Sequence, residues 1–153
     1  MRGDLQALVN CPTTTEGANY GYNIKILPKI LYKTKHGNLT KAELHGIQQK
    51  INVKMKPKLK LHKNISNNIL YGHAITGGLE IPHLWDETNR EKYIIFRAAM
   101  QDQSKDIYHI MCGAMDRLAN WLCTDRNALT EKWNGILDLQ STMWISSMHR
   151  WMA

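Results

Sequence analysis

The sequence predicts a mainly α-helical fold, a small helical bundle, and three observations carry that expectation. Apolar residues recur at three- and four-residue spacing in segment after segment. Capping residues stand just ahead of several of these runs. Period-two alternation is confined to Lys58-Leu59-Lys60-Leu61. A hydrophobic content of 43% with 22% charged residues in 153 residues is ordinary for a folded protein, and a chain this long buries roughly two-thirds of its unfolded surface. Five tryptophans, six tyrosines and eight methionines supply bulky core material.

Taken in order, residues 1–17 read as a loosely ordered N-terminal segment. Asn10-Cys11-Pro12-Thr13-Thr14-Thr15 is a loop signature, and Asp4–Val9 makes at most a short helical turn. Residues 18–153 read as one helical domain. Its first helix, about Ala18–Tyr32, carries Tyr22, Ile26 and Ile30 with Leu27 and Leu31 on one side. Pro28 lies inside it, which predicts a kink or a restart near Lys25–Leu27, because proline removes a backbone donor and crowds the preceding turn. His36-Gly37-Asn38 reads as a loop.

Thr40 with Glu43 three residues on makes a capping box. The helix it opens places Leu44, Ile47, Ile51 and Met55 on one stripe and Lys41, Gln48, Gln49, Lys50 and Lys54 on other faces, and Pro57 ends it. Residues 57–83 form a short extended or loop segment, with a small helix capped by Ser66 and a glycine turn at Thr76-Gly77-Gly78. Asp86 caps a helix to about Met100 with Tyr93, Ile94, Phe96 and Met100 on its apolar side. Ser104 caps the next, with Ile107, Met111, Ala114, Leu118 and Trp121 or Leu122 in line. Two more helices follow, around 128–137 and 139–151.

Charge is distributed unevenly. Between Lys25 and Lys63 there are eleven lysines and one acid, Glu43, whereas the rest of the chain has nine basic against twelve acidic residues. The block's excess of ten positive charges, less an excess of three negative ones elsewhere, makes the net charge of +7. Such a block is an electrostatic footprint for a polyanion, most simply a phosphate backbone. All the block's cations are lysines. Lysine is a mobile point charge rather than the planar fork that reads guanine edges, so the pattern suits backbone contact over sequence reading. The alternative is a solvated face that keeps the chain soluble.

Residues suited to catalysis or metal binding do not converge in sequence. His109, Cys112 and Cys123 lack a fourth ligand and the paired spacings of a zinc site, so buried cysteine is the simpler expectation. The odd number of cysteines, three, argues against a disulfide framework, and the polar N-terminus and short apolar runs lead us to expect an intracellular protein without a membrane span. No cofactor motif is present. Tryptophans 121, 133, 144 and 151 suit core packing more than base stacking.

One stretch resembles a known family. Ile26-Leu27-Pro28-Lys29-Ile30-Leu31-Tyr32 is similar to the L-P-x-[IL]-[LI]-Y segment that follows the catalytic palm in reverse transcriptases of non-LTR retrotransposons. Lys58-Leu59-Lys60-Leu61 resembles the basic, leucine-rich stretch downstream. Gly77-Gly78-Leu79-Glu80-Ile81-Pro82-His83-Leu84 is similar to the G-G-L-G-I-P-S-L motif that opens that family's next helix. The likeness covers about residues 20–110, with Glu80 in place of a glycine and His83 in place of a serine. The Y-x-D-D sequence and the other metal-binding aspartates of the palm are absent from this chain.

The resemblance implies a thumb-like fragment of an RNA-directed DNA polymerase with no catalytic residues of its own. Such a fragment grips the backbone of RNA, an RNA–DNA hybrid or a DNA duplex, in company with an upstream polymerase portion. It further implies that Pro28 and Tyr32 anchor the first thumb helix and that Gly77 and Gly78 form a tight turn near duplex or palm. Lys29, Lys33, Lys41, Lys50, Lys54, Lys56, Lys58 and Lys60 are the phosphate contacts it suggests. Two rival expectations stand beside it: a small basic helical domain that docks an acidic protein, and a degenerate retroelement remnant.

Overall fold

In the computed structural model every regular element is helical among the described residues, which are 2–121 with Met148 and Trp151. The helices are α1 (Arg2–Asn10), α2 (Thr15–Gly21), α3 (Leu27–Thr34), α4 (Lys41–Lys58), α5 (Asn67–Tyr71), α6 (Leu84–Gln101) and α7 (Asp106–Trp121). A π turn over Tyr22–Ile26 joins α2 to α3, and a 3-10 turn spans Ala74–Thr76. The chain divides into two compact units, one of residues 1–34 and 41–87, the other of residues 35–40 and 88–153. The helices expected at 128–137 and 139–151, the side chains of Trp121, Trp133 and Trp144, and Cys123 lie outside the described residues.

In the first unit, α1 is a nine-residue helix where at most a short turn is expected. It lacks a strong cap signal, and tertiary contact rather than propensity holds it: Leu5 is buried and Leu8 packs against Gly21. Thr14 caps α2, its Oγ1 accepting from the Gly17 N–H at 3.1 Å. The rod from α2 to α3 stays continuous across Pro28. The Leu27 N–H bonds the Tyr22 carbonyl five residues back, so the ladder shifts to π spacing just before the residue that cannot donate. The disruption expected at Lys25–Leu27 therefore takes the form of a wide turn. Tyr22, Ile26, Leu27 and Ile30 are buried, as the spacing predicts.

Helix α4 begins after Thr40 as expected. Pro57 does not stop it at once, because the helix continues to Lys58. The chain then leaves through a left-handed residue, Lys60 at φ 58°, with Lys60 N–H bonded to the Pro57 carbonyl and Leu61 N–H to that of Lys56. This is a Schellman end, not the extended backbone that the Lys-Leu alternation suggests. The buried face of α4 also differs: Leu44, Ile51 and Met55 are buried together with Gln48, Asn52 and Lys56, while Ile47 is half-buried.

Ser66 caps α5 as expected, accepting from the Asn68 N–H at 3.2 Å. From Gly72 the chain folds back on itself. Leu79, Glu80 and Ile81 donate to the carbonyls of Ile69, Gly72 and Leu70 at 2.9, 3.0 and 2.8 Å. Helix α6 starts at Leu84, two residues before the expected Asp86 cap. His83 holds the cap position, its Nδ1 2.9 Å from Asp86 Oδ2.

The second unit's part of α6 buries Thr88, Asn89, Lys92 and Ala99, while Ile94 is exposed, so its inward stripe is not the apolar one expected. The start of α7 is also displaced from Ser104 to Asp106. Ser104 instead donates its hydroxyl to Asp102 Oδ1 at 2.6 Å. That bond, with Lys105 and the Ser104 N–H, holds the Asp102 carboxyl down to about 2. The inward residues of α7 are Cys112, Met115 and Ala119, one position round from the expected stripe, and Ile107 and Ile110 face solvent.

Candidate nucleic-acid interface

The structure disperses the eight candidate lysines over several environments. Lys29 and Lys33 lie exposed on α3. Lys50 is exposed on α4, with Lys54 and Lys58 partly exposed below it on the same helix. Lys60 is exposed in the α4 end turn. Lys41 carries its ammonium 5.8 Å from the centre of the Trp85 ring, a cation–π distance. Lys56 is a correction: it is 9% exposed, and its Nζ donates to the carbonyls of Ile65 at 2.6 Å and Lys63 at 3.3 Å. Its charge points inward and fastens the loop after α4, so it cannot meet a phosphate without unfolding that loop.

Helix α1 and the residue after it, Cys11, bind three of the others. Lys29 Nζ pairs with Asp4 Oδ1 at 2.9 Å, Lys54 Nζ donates to Gln6 Oε1 at 3.0 Å, and Lys58 Nζ donates to the Cys11 carbonyl. The N-terminal segment thus supplies oxygen acceptors to lysines from both α3 and α4. The Lys29 ammonium, by hydrogen bond and charge, lowers the Asp4 carboxyl below its ordinary range. These contacts are solvent-exposed, where a pair contributes about 0–1 kcal/mol, so an anion of higher charge density can replace them. Between α1 and α4 runs a groove of about 770 Å³ lined by Leu5, Ile47, Ile51 and Val53 with Lys50 and Lys54 beside them.

Gly77 and Gly78 form the tight turn expected of them, and it closes on its own loop. Gly77 lies at φ 79°. Gly78 packs directly on Gly72, where an added Cβ would sit 2.0 Å from the Gly72 carbonyl oxygen. Glu80, at φ 50°, is also left-handed, and its Oε1 accepts from the Ala74 N–H at 3.0 Å and lies 3.2 Å from His73 Nε2. Asn19 ties the loop to α2 through the Leu79 carbonyl at 3.2 Å. No lysine takes part in these bonds among the described residues.

Pro28 and Tyr32 are exposed, Tyr32 at 69%. They cannot anchor α3 by burial, and that role falls to Tyr22, Ile26, Leu27 and Ile30. What the sequence reasoning misses most is a polar network in the core. Gln48 Nε2 donates to Asn52 Oδ1 at 3.0 Å, Asn52 Nδ2 donates to the Tyr71 hydroxyl, and Gln48 Oε1 accepts from the Leu84 N–H at 2.8 Å. Burial pushes the phenols of Tyr22 and Tyr71 above their ordinary range.

Among the described residues no group of three His, Cys, Asp or Glu side chains is placed to hold a metal ion, and no helix is long and apolar enough to cross a membrane. Cys112 is buried, as expected, and His109 is exposed. No family model, curated protein or solved structure matches this chain.

Proposed function

We propose that this chain is a nucleic-acid-binding helical module, a thumb-like fragment of a non-LTR retrotransposon reverse transcriptase that grips the backbone of a duplex without catalytic residues of its own. The carrying observation is the block of eleven lysines against one acid. Lys33 and Lys50 are exposed on α3 and α4, and Lys29, Lys54 and Lys58 are held by weak acceptors that a phosphate outcompetes. The glycine motif lends support through Glu80. The family keeps a glycine there, and this residue adopts the left-handed conformation that glycine favours. Gly78 likewise occupies a place where a side chain would collide with backbone. Polymerase chemistry on this reading belongs to an upstream portion that carries the aspartates.

A second reading, a domain that docks an acidic protein, draws on the apolar groove beside Lys50 and Lys54. Fluorescence anisotropy with a 20-base-pair RNA–DNA hybrid separates the two. Backbone binding gives a linear fall of log affinity with log salt, with a slope of about −0.9 for each phosphate neutralised. Reversing Lys33 and Lys50 to glutamate weakens every sequence alike and shallows that slope by roughly two such steps. Absence of binding at 20 mM salt would rule the proposal out.

A further inference from the structure

The rod of α2, the π turn and α3 presents two parallel exposed columns with a repeat of four residues. Tyr20, Ile24, Pro28 and Tyr32 form one, and Lys25, Lys29 and Lys33 form the other. Tyr20 is 68%, Ile24 57% and Tyr32 69% exposed. In an unbroken α-helix three steps of four residues drift about 120° around the axis. The π turn takes up one additional residue per turn, about 100° of rotation, and so keeps both columns nearly straight. A cleft of about 520 Å³ opens at the α3 end, lined by Ile26, Pro28, Tyr32, Lys29, Lys33 and Asp4.

We infer that this double column is a binding site for single-stranded nucleic acid, with bases stacked on Tyr20 and Tyr32 and phosphates on Lys25, Lys29 and Lys33. Successive lysines are about 6 Å apart along the axis, close to the phosphate repeat of an extended strand. Positions 20 and 32 are separated by about 18 Å along the axis, the reach of three or four nucleotides. A solvent-facing aromatic and aliphatic ridge is costly to leave in water, and a basic column beside it selects an anionic strand with flat faces. Asp4, paired with Lys29, is the acid that lines the cleft, and an incoming phosphate displaces it. Glu16 stands exposed one turn ahead of Tyr20 on the same column and bounds the phosphate-binding stretch at that end. The inference rests on the nucleic-acid reading above and adds to it a tract, the unpaired strand, which duplex contacts alone do not require.

The test uses the full chain and fluorescein-labelled (dT)12 beside the RNA–DNA hybrid at equal salt. Tyr20→Ala and Tyr32→Ala should each weaken (dT)12 roughly thirtyfold, the middle of the range for one stacked base, and leave the hybrid unchanged. Tyr32→Phe should retain (dT)12 binding, since the ring and not the hydroxyl stacks. Asp4→Asn should tighten (dT)12 a few-fold. Because Tyr20 and Tyr32 are exposed, thermal unfolding of the tyrosine variants should stay close to that of the parent. Loss of (dT)12 affinity only in lysine variants, with the tyrosine variants unaffected, overturns the inference. So does displacement of (dT)12 by polyglutamate or by anionic vesicles at equal charge, which would assign the columns to an acidic protein or a lipid surface. Hybrid binding without (dT)12 binding overturns the inference alone, whereas no binding of either probe removes the functional proposal with it.

Discussion

Gly77 and Gly78 are adjacent, but different constraints fix them. Gly77 has a left-handed φ of 79° and open space around its Cα, so Gly77→Ala meets only backbone strain, about 1–2 kcal/mol. Gly78 faces the Gly72 backbone, and a methyl group there drives apart the bonds from Gly78 to His73 and from Glu80 to Gly72. Gly78→Ala should cost about 2–3 kcal/mol, the larger of the two. Glu80→Gly should be nearly neutral: relief of the left-handed strain offsets loss of the carboxylate's bond to Ala74. Urea unfolding of the three variants checks the order, and a Gly78→Ala protein as stable as the parent would mean the loop does not close on Gly72. The sequence displays the glycine turn openly. It conceals the partner, because Gly72 lies six residues away and only the folded loop brings the two backbones together.

For the helices, the period of the apolar residues reveals that α3, α4, α6 and α7 exist, but not always which face they bury. The rod across Pro28 is the most readable. Its buried residues Tyr22, Ile26, Ile30 and Thr34 repeat every four positions rather than every 3.6, and a repeat that long requires a wider turn somewhere in the rod. Helix α4 is less readable. Its inward face carries Gln48, Asn52 and Lys56 because each satisfies a polar group of a later segment: the Leu84 N–H, the Tyr71 hydroxyl, and the Lys63 and Ile65 carbonyls. Single-helix periodicity contains no information about those partners. Gln48→Leu keeps the size of the side chain but leaves the Leu84 N–H and Asn52 without it. We expect a loss of about 2–3 kcal/mol, together with faster hydrogen exchange at the Leu84 amide. Exchange at Leu84 unchanged from the parent would contradict the capping role given to Gln48.

For the molecule as a whole, the all-helical class and the lysine-rich block are legible in the sequence, but the fates of the individual lysines are not. Charge counting treats them alike, while burial divides them into exposed cations, acceptor-bound cations and one, Lys56, that holds the fold. Lys92, outside the lysine-rich block, is the most buried lysine among the described residues, at 1% exposure. Burial pushes its ammonium down to about 8. Below pH 8 the folded protein carries that charge in a dry site. Between pH 8 and the ordinary lysine range, the folded state releases a proton that the unfolded chain still binds, so stability rises with pH. Tyr22 and Tyr71 act oppositely, since burial raises both phenols: above about pH 10 the unfolded chain ionises first and stability falls. Unfolding free energies from urea titrations should therefore increase from pH 7.5 to 9.5, by about 1–2 kcal/mol, and decline beyond pH 10. Lys92→Met should flatten the rising limb and leave the falling one in place. A parent protein whose stability is level from pH 7.5 to 9.5 would show that the Lys92 ammonium is as well solvated folded as unfolded.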